Sequence, residues 1–229
     1  MKITNWLSRL RKPFAQKLSV KKYSAYRELR KHGISVFNSL VITLCPAVVG
    51  VFATGGKSVI TNWKDARMLH AIGPQMASWV QNIGARNAGA AFYDIGANIG
   101  QCAILAAKAG MRVYAFEPHP DSFRTLFQNI RLNRIAITPI NCLVSDKNGI
   151  LAFDIGTKWS GSCAFDNRTS RKKIVSTLST TLNSFHTFFG LPRPEYLKID
   201  TDGYELQIIE NSDMSSVREL SIEISDEKK

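Results

Sequence analysis

The sequence predicts a doubly wound, mostly parallel α/β sheet with helices on both faces, preceded by a helical and apolar N-terminal extension. Three observations predict it. From residue 91 onward, short apolar runs of strand length alternate with helical periodicity. The first run, Phe92-Tyr93-Asp94-Ile95, leads into a glycine turn, Gly96-Ala-Asn-Ile-Gly100. Glu117 ends the second run, twenty-one residues after Gly96, and Asp200 ends a later one. Regular strand–helix–strand order implies right-handed crossovers, and ligands of such sheets lie at the carboxyl ends of the strands. The turn and both acids fall at those ends, which predicts one composite site.

The elements follow in order. The first strand covers about 91–96, and a helix runs from Ile99 to Gly110, a C′ glycine. The second strand is 111–116. Pro118 and Pro120 punctuate the next turn, and Asp121 or Ser122 caps a helix over Phe123–Leu132. The third strand is about 137–144, ended by Ser145-Asp-Lys-Asn-Gly149. Residues 150–155 and 173–180 read as strands of an excursion, and Thr181–Phe189 as a short helix. The fourth strand is Tyr196–Thr201, a helix covers Gly203–Asn211, and the fifth strand is Leu220–Ser225.

Three parts are expected: 1–56, a basic arm and an apolar segment; 57–90, a helical cover or lid; and 91–229, the α/β domain. Residues 1–31 carry ten Lys/Arg against Glu28 alone, so nine of the twelve excess positive charges sit there. Ile3, Trp6, Leu7, Leu10, Phe14 and Leu18 fall near helical spacing among these charges, which suits peripheral contact with an anionic membrane surface, although Pro13 kinks the pattern. A solvated basic helix is the other reading. No stacking module or zinc pattern accompanies the charge, which argues against nucleic acid.

Residues 33–56 carry no charge and are long enough to span a bilayer. A span would keep the basic arm in the cytosol and send the α/β domain outside, away from its cofactor. The β-branched content, Pro46 and Gly50 suit core strands or a strand pair. A cytoplasmic protein, membrane-associated at most through residues 1–56, is expected. Residues 57–90 read as mostly helical, with Trp63, Met68, Leu69, Ile72, Met76 and Trp79 at three- and four-residue steps. The four cysteines form no C-x-x-C pair, so no metal site is expected, and Cys102 and Cys142 read as core residues.

The turn is Asp-x-Gly-x-Asn-x-Gly, not Gly-x-Gly-x-x-Gly. A dinucleotide site holds a pyrophosphate there, which Asp94 would repel; this disfavours a nicotinamide-linked oxidoreductase. An ammonium group suits Asp94, and a cofactor that joins an aminoacyl group to adenosine is S-adenosylmethionine. Gly96 is expected to let the backbone approach the ligand, Gly100 to allow close helix–strand packing, and Asn98 to hydrogen-bond near the methionine end. Glu117 is placed to accept both ribose hydroxyls. A structural βα turn with ordinary surface acids is the alternative.

Asp94-Ile-Gly-Ala-Asn-Ile-Gly100, Val113-Tyr-Ala-Phe-Glu-Pro-His-Pro120, Phe123 with Asn129 and Leu132-Asn133, and Leu197-Lys-Ile-Asp-Thr-Asp-Gly-Tyr-Glu205 together resemble the FkbM family of methyltransferases, over about residues 91–224. The resemblance implies a Rossmann-like sheet, S-adenosylmethionine, and O-methylation of a hydroxyl on a sugar or small metabolite. It also implies a cofactor turn of Asp94, Gly96, Asn98 and Gly100, ribose contacts from Glu117, and Ser145 and Asp146 near the adenine. His119 reads as shaping the turn. Two positions depart from the family: Asp202, where Glu is commoner, and Asn183, where Asp is. Family members also continue past the fifth strand, so a C-terminally incomplete domain is expected.

Asp200, Asp202 and Glu205 form an acid cluster after the fourth strand and are the candidates for orienting the acceptor hydroxyl or taking its proton. Asp202 and Glu205 also have capping-box spacing, as N-cap and N3; Asp200, at a strand end, does not. Gly161-Ser-Cys163 and Arg171-Lys-Lys173 lie in the excursion and either touch the acceptor or form a solvated loop. The competing function is an inactive or truncated cofactor-fold module whose basic arm binds a membrane surface.

Overall fold

The computed structural model describes residues 48–52, 54–60, 72–154, 174–201 and 203–223. Two compact units divide the chain, Met1–Gly50 with Val59–Leu69 and Val51–Ser58 with His70–Lys229. In the first, the described residues are the outer ends of two short strands, β1 (Val48–Val51) and β2 (Lys57–Ile60), which pair with each other. The uncharged run 33–56 therefore ends in a strand and a turn. Residues 57–60 are strand where helix was expected. Among the described residues, no helix is long and apolar enough to cross a membrane. The basic arm 1–31, with its expected membrane contact, and residues 61–71 lie outside them.

The second unit continues with α1 (Pro74–Arg86), β3 (Ala91–Ile95), α2 (Gln101–Lys108), β4 (Arg112–Phe116), α3 (Pro120–Asn133), β5 (Ile137–Ile140), β6 (Leu143–Val144), β7 (Gly149–Asp154), β8 (Ile174–Thr180), α4 (Leu182–Phe189), β9 (Tyr196–Ile199), α5 (Glu205–Glu210) and β10 (Glu219–Ile222). Five strands form a parallel sheet in the order β10-β9-β3-β4-β5. The order changes direction between β3 and β9, and ligand sites of open α/β sheets form at such a point.

Both faces of the sheet are covered, which is why β3 reads as an almost unbroken apolar run. On one face Phe92, Val113, Ala115 and Tyr196 pack with Val80 and Ile83 of α1, Ala103 and Ala106 of α2, and Leu126 and Ile130 of α3. On the other, Tyr93, Ile95, Phe116, Leu197 and Ile199 pack with Leu182 and Phe185 of α4 and Ile208 of α5. The Tyr93 ring lies 5.1 Å from that of Phe116. Cys102 and Cys142 are buried free thiols, as expected. Helix α1 is anchored near the amino end of β10, where Trp79 Nε1 donates to Glu219 Oε2 at 2.9 Å.

Two local differences from the sequence reading have physical causes. The expected third strand breaks after Ile140: β5 stays in the main sheet, while β6 joins β8 and β7 in a separate three-stranded sheet. At the break, Asn141 Nδ2 donates to the Glu117 carbonyl at 2.7 Å, which ties β5 to the end of β4. The second difference is the cap of α3. His119, not Asp121 or Ser122, is the N-cap: its Nδ1 accepts from the Asp121 and Ser122 amides at 3.2 and 3.4 Å, with Pro120 opening the helix. The excursion strands β7 and β8 form an antiparallel pair as expected; residues 155–173, with the Gly161 and Arg171 segments, lie outside the described residues.

Candidate functional site

The turn after β3 is clamped from both sides. The Gly96 and Ala97 amides donate to the Phe116 carbonyl at 3.0 and 2.9 Å, and the Asp200 amide donates to Ile95 O at 3.1 Å. Gly96 sits at φ +75, and a Cβ there would stand 1.7 Å from the Asp200 carbonyl oxygen. Its lack of a side chain thus serves the approach of the chain leaving β9. Gly100, the N-cap of α2 at φ +91, would meet Leu126 Cδ1 of α3 at 2.4 Å; the packing it allows is helix on helix, not helix on strand. Asn129 Nδ2, buried, donates to Ile99 O at 2.8 Å and Ser58 Oγ at 3.1 Å, which braces the same turn from α3.

Glu117 is gripped by two loops. Its Oε2 accepts from the Asn98 amide at 2.7 Å and its Oε1 from the His119 amide at 2.8 Å. Asn98 adopts the left-handed conformation, φ 52, that points this amide inward. Each carboxylate oxygen keeps a further lone pair for a ligand. Burial pushes the Glu117 carboxyl up to about 7, against the pull of the His119 and Asn98 amides.

Asp94 is fully buried, and neither of its oxygens makes a well-aligned hydrogen bond. Lys198, in the middle of β9, stands beside it. The Lys198 Nζ lies 3.1 Å from Asp94 Oδ1 and 3.2 Å from Asp200 Oδ2, and it donates to Gly96 O at 2.9 Å. Burial raises the Asp94 carboxyl above the usual range, with Lys198 opposing. Burial works against the Lys198 charge, yet Asp94 and Asp200 outweigh it and hold the ammonium above lysine's ordinary value. The sequence singled out neither Lys198 nor Glu223, which stand beside these acids. The Glu223 amide donates to Ile199 O at 3.0 Å, one step beyond the Ile222–Ile199 pair, which puts Glu223 beside Asp200. Its carboxyl is pushed up, first by Asp200 and then by burial.

The other candidates are placed differently. Glu205 is buried and opens α5, so it is not the N3 residue of a capping box. Its Oε1 accepts from the Thr201 amide at 2.8 Å and hydroxyl at 3.0 Å, and its Oε2 from the Gly203 amide at 2.9 Å. Burial raises its carboxyl, but these donors together hold it below the ordinary range. It organises the loop after β9. Asp202 lies outside the described residues. Ser145 braces its own turn, with Oγ 2.7 Å from Ser179 Oγ and accepting from the Lys147 amide at 3.1 Å. Asp146 is half-buried and close enough to Tyr204 to raise that hydroxyl's pKa, after burial. Among the described residues, no His/Cys/Asp/Glu group is arranged to hold a metal ion.

Hexuronic acid methyltransferase AglP of Haloferax volcanii is 27% identical over 135 residues, which are 58% of this chain and 54% of that protein. The chain thus spans about half the length of this curated relative. Among solved structures, a precorrin-6y C5,15-methyltransferase from Geobacter metallireducens is similar at TM-score 0.35 and 17% identity, over 61% of this chain and 55% of that one. A SAM dependent methyltransferase from Agrobacterium tumefaciens is similar at TM-score 0.32 and 12% identity, over 41% and 31%. Scores this low carry no argument. The methyltransferase FkbM domain matches residues 94–228, from Asp94 itself through the acids after β9 and β10, and the chain belongs to that family.

Proposed function

We propose that the chain transfers a methyl group from S-adenosylmethionine to a hydroxyl of a sugar or other small molecule. The observation that carries this reading is Asp94: a fully buried carboxylate, ion-paired with Lys198 on one oxygen, at a turn where an acid would repel a pyrophosphate. It suits an ammonium or a sulfonium. Glu117, with one spare lone pair on each oxygen, suits a pair of vicinal hydroxyls. Bound S-adenosylmethionine would supply a methyl group on a positively charged sulfur. Asp200, half-buried at the open end of the site, would accept a hydrogen bond from the acceptor hydroxyl and then its proton, while the chain's main contribution is positioning. Glu205 holds the loop after β9 in shape through the Thr201 and Gly203 amides. Asp146, half-buried after β6, is the candidate for a contact with the base ring, while Ser145 braces the turn that carries it.

The name of the Haloferax relative, a hexuronic acid methyltransferase, makes sugars, acidic ones included, the first acceptors to try. Incubation with methyl-labelled S-adenosylmethionine and a panel of neutral and acidic sugars should label one acceptor class. Asp200→Asn should cut turnover by about a hundredfold, the usual size of a general-base contribution. A wild type that binds the cofactor but labels no hydroxyl compound, or an Asp200→Asn variant with full activity, contradicts this reading.

A pH dependence follows from Glu117. Its folded pKa, about 7, is raised from 4.5, so the unfolded chain holds fewer protons between those values and Glu117 lowers stability as pH rises through that window. Hydroxyl donors favour the carboxylate. Cofactor affinity should therefore rise about tenfold from about pH 6 to about pH 8, and this step should vanish in Glu117→Gln. Calorimetric titration across that range checks it.

A further inference from the structure

We propose that Lys198 is the positioning residue of this site: its ammonium holds the cofactor-side acid, Asp94, and the acceptor-side acid, Asp200, in register with the Gly96 turn. The proposal rests on the methyl-transfer reading and adds a residue to it. Three geometric facts carry it. First, one ammonium holds three separate pieces of backbone: it donates to Gly96 O in the turn at 2.9 Å and forms ion pairs with Asp94 in β3 at 3.1 Å and Asp200 after β9 at 3.2 Å. Second, Lys198 is only 6% exposed, in the strand that shares the switch point with β3. Its neighbours Leu197 and Ile199 are fully buried core residues, and an apolar side chain would serve the core as well or better. Third, the lysine spans the gap between the two acids that the chemistry needs to keep apart in role and fixed in space.

The charge of Lys198 decides what the acids do. Asp94 is fully buried, and a buried carboxylate without a cation takes up a proton instead of staying charged. With Lys198 in place, Asp94 can meet a cationic ligand as an anion. Asp200 pairs with the same ammonium and remains partly exposed. The other titratable groups around the ammonium are Cys102 of α2, Glu117 at the end of β4 and Glu223 after β10. Cys102 is neutral, its thiol pushed well up by burial. Glu117 has its own step near 7, which Lys198 pulls down, so that step moves up in a neutral Lys198 variant.

The test titrates S-adenosylmethionine into the full chain by calorimetry from about pH 6 to about pH 9, for wild type, Lys198→Met and Lys198→Arg, with melting curves of the cofactor-free proteins at each pH. Lys198→Met should bind at least about tenfold more weakly at neutral pH, because Asp94 and Asp200 lose their counter-charge. In a Glu117→Gln background, which removes the Glu117 step, its affinity relative to the Lys198 parent at the same pH should recover as pH rises. Lys198→Arg keeps the charge and should restore the wild-type pH profile, with a smaller affinity loss from its planar, less compact head. Lys198→Gln, which still donates to Gly96 O, supplies the neutral case should Lys198→Met not fold. A neutral variant with the wild-type profile, or an arginine variant that behaves like the neutral one, overturns the proposal. So does a chain in which neither neutral variant folds while Lys198→Arg does, since Lys198 then serves stability alone. A wild type that binds no S-adenosylmethionine at any pH sinks the methyl-transfer reading and this proposal with it; a wild type that binds, beside a Lys198→Met of identical profile, sinks this proposal alone.

Discussion

Gly96→Ala is expected to lower the unfolding free energy by about 4 kcal/mol or more, among the largest effects of any single substitution in this chain. Two costs combine. The residue sits at φ +75, where a side chain costs about 1–2 kcal/mol. A Cβ 1.7 Å from the Asp200 carbonyl oxygen cannot be accommodated by a rotamer change, because the obstacle is backbone. The end of β9 would have to move away from β3, which breaks the Asp200 N–H to Ile95 O bond and withdraws Gly96 O from Lys198. A domain of ordinary stability holds about 5–15 kcal/mol in total. Denaturant titration of the variant checks the expectation; an unfolding free energy within about 1 kcal/mol of wild type would mean that β9 does not pass so close to the turn.

Asp94→Ala carries the second large effect. Removing one partner of a buried ion pair costs about 3–5 kcal/mol because the other charge is left uncompensated, and Lys198 is 6% exposed. Asp200 remains beside Lys198 and offsets part of that cost, so a loss of about 3 kcal/mol is expected. The variant should still fold. Its affinity for S-adenosylmethionine should fall by about a hundredfold, more than stability alone explains. A double variant, Asp94→Asn with Lys198→Met, should recover stability by removing both charges while leaving the cofactor weakly bound. Chemical denaturation and calorimetry on the same samples separate the two effects. A double variant as unstable as Asp94→Ala would show that the stability loss comes from packing and not from charge.

Much of the site was legible because its acids stand at fixed points of a regular pattern. Asp94, Glu117 and Asp200 each end a strand-length apolar run, and the sheet order β10-β9-β3-β4-β5 brings those ends together. Lys198 was hidden for the opposite reason: it lies inside a run, where alternation alone places it in the core. The available signal was a lone charge in a strand read as central to a parallel sheet, where both faces are buried. Glu223 was hidden by register, since only the Ile222–Ile199 pairing puts it beside Asp200. The apolar stretch 137–144 gave no hint of two sheets, because the switch depends on where the Asn141 amide finds its acceptor. Histidine is an uncommon N-cap, so the role of His119 was read only as turn-shaping. Gly96 was recognised as necessary, but the reason lay in a strand a hundred residues further on.

The central claim is that the strand-end site holds S-adenosylmethionine between the Asp94 turn and Glu117. The most direct measurement is calorimetric titration of S-adenosylmethionine into wild type, Asp94→Ala and Glu117→Ala at about pH 8, with folding of each confirmed by circular dichroism. Saturable one-to-one binding to wild type is expected, weakened about a hundredfold or more in each variant, in line with the loss of charge-assisted hydrogen bonds worth about 1.5–3 kcal/mol apiece. Equal affinity in all three folded proteins, or no binding to wild type, would contradict it.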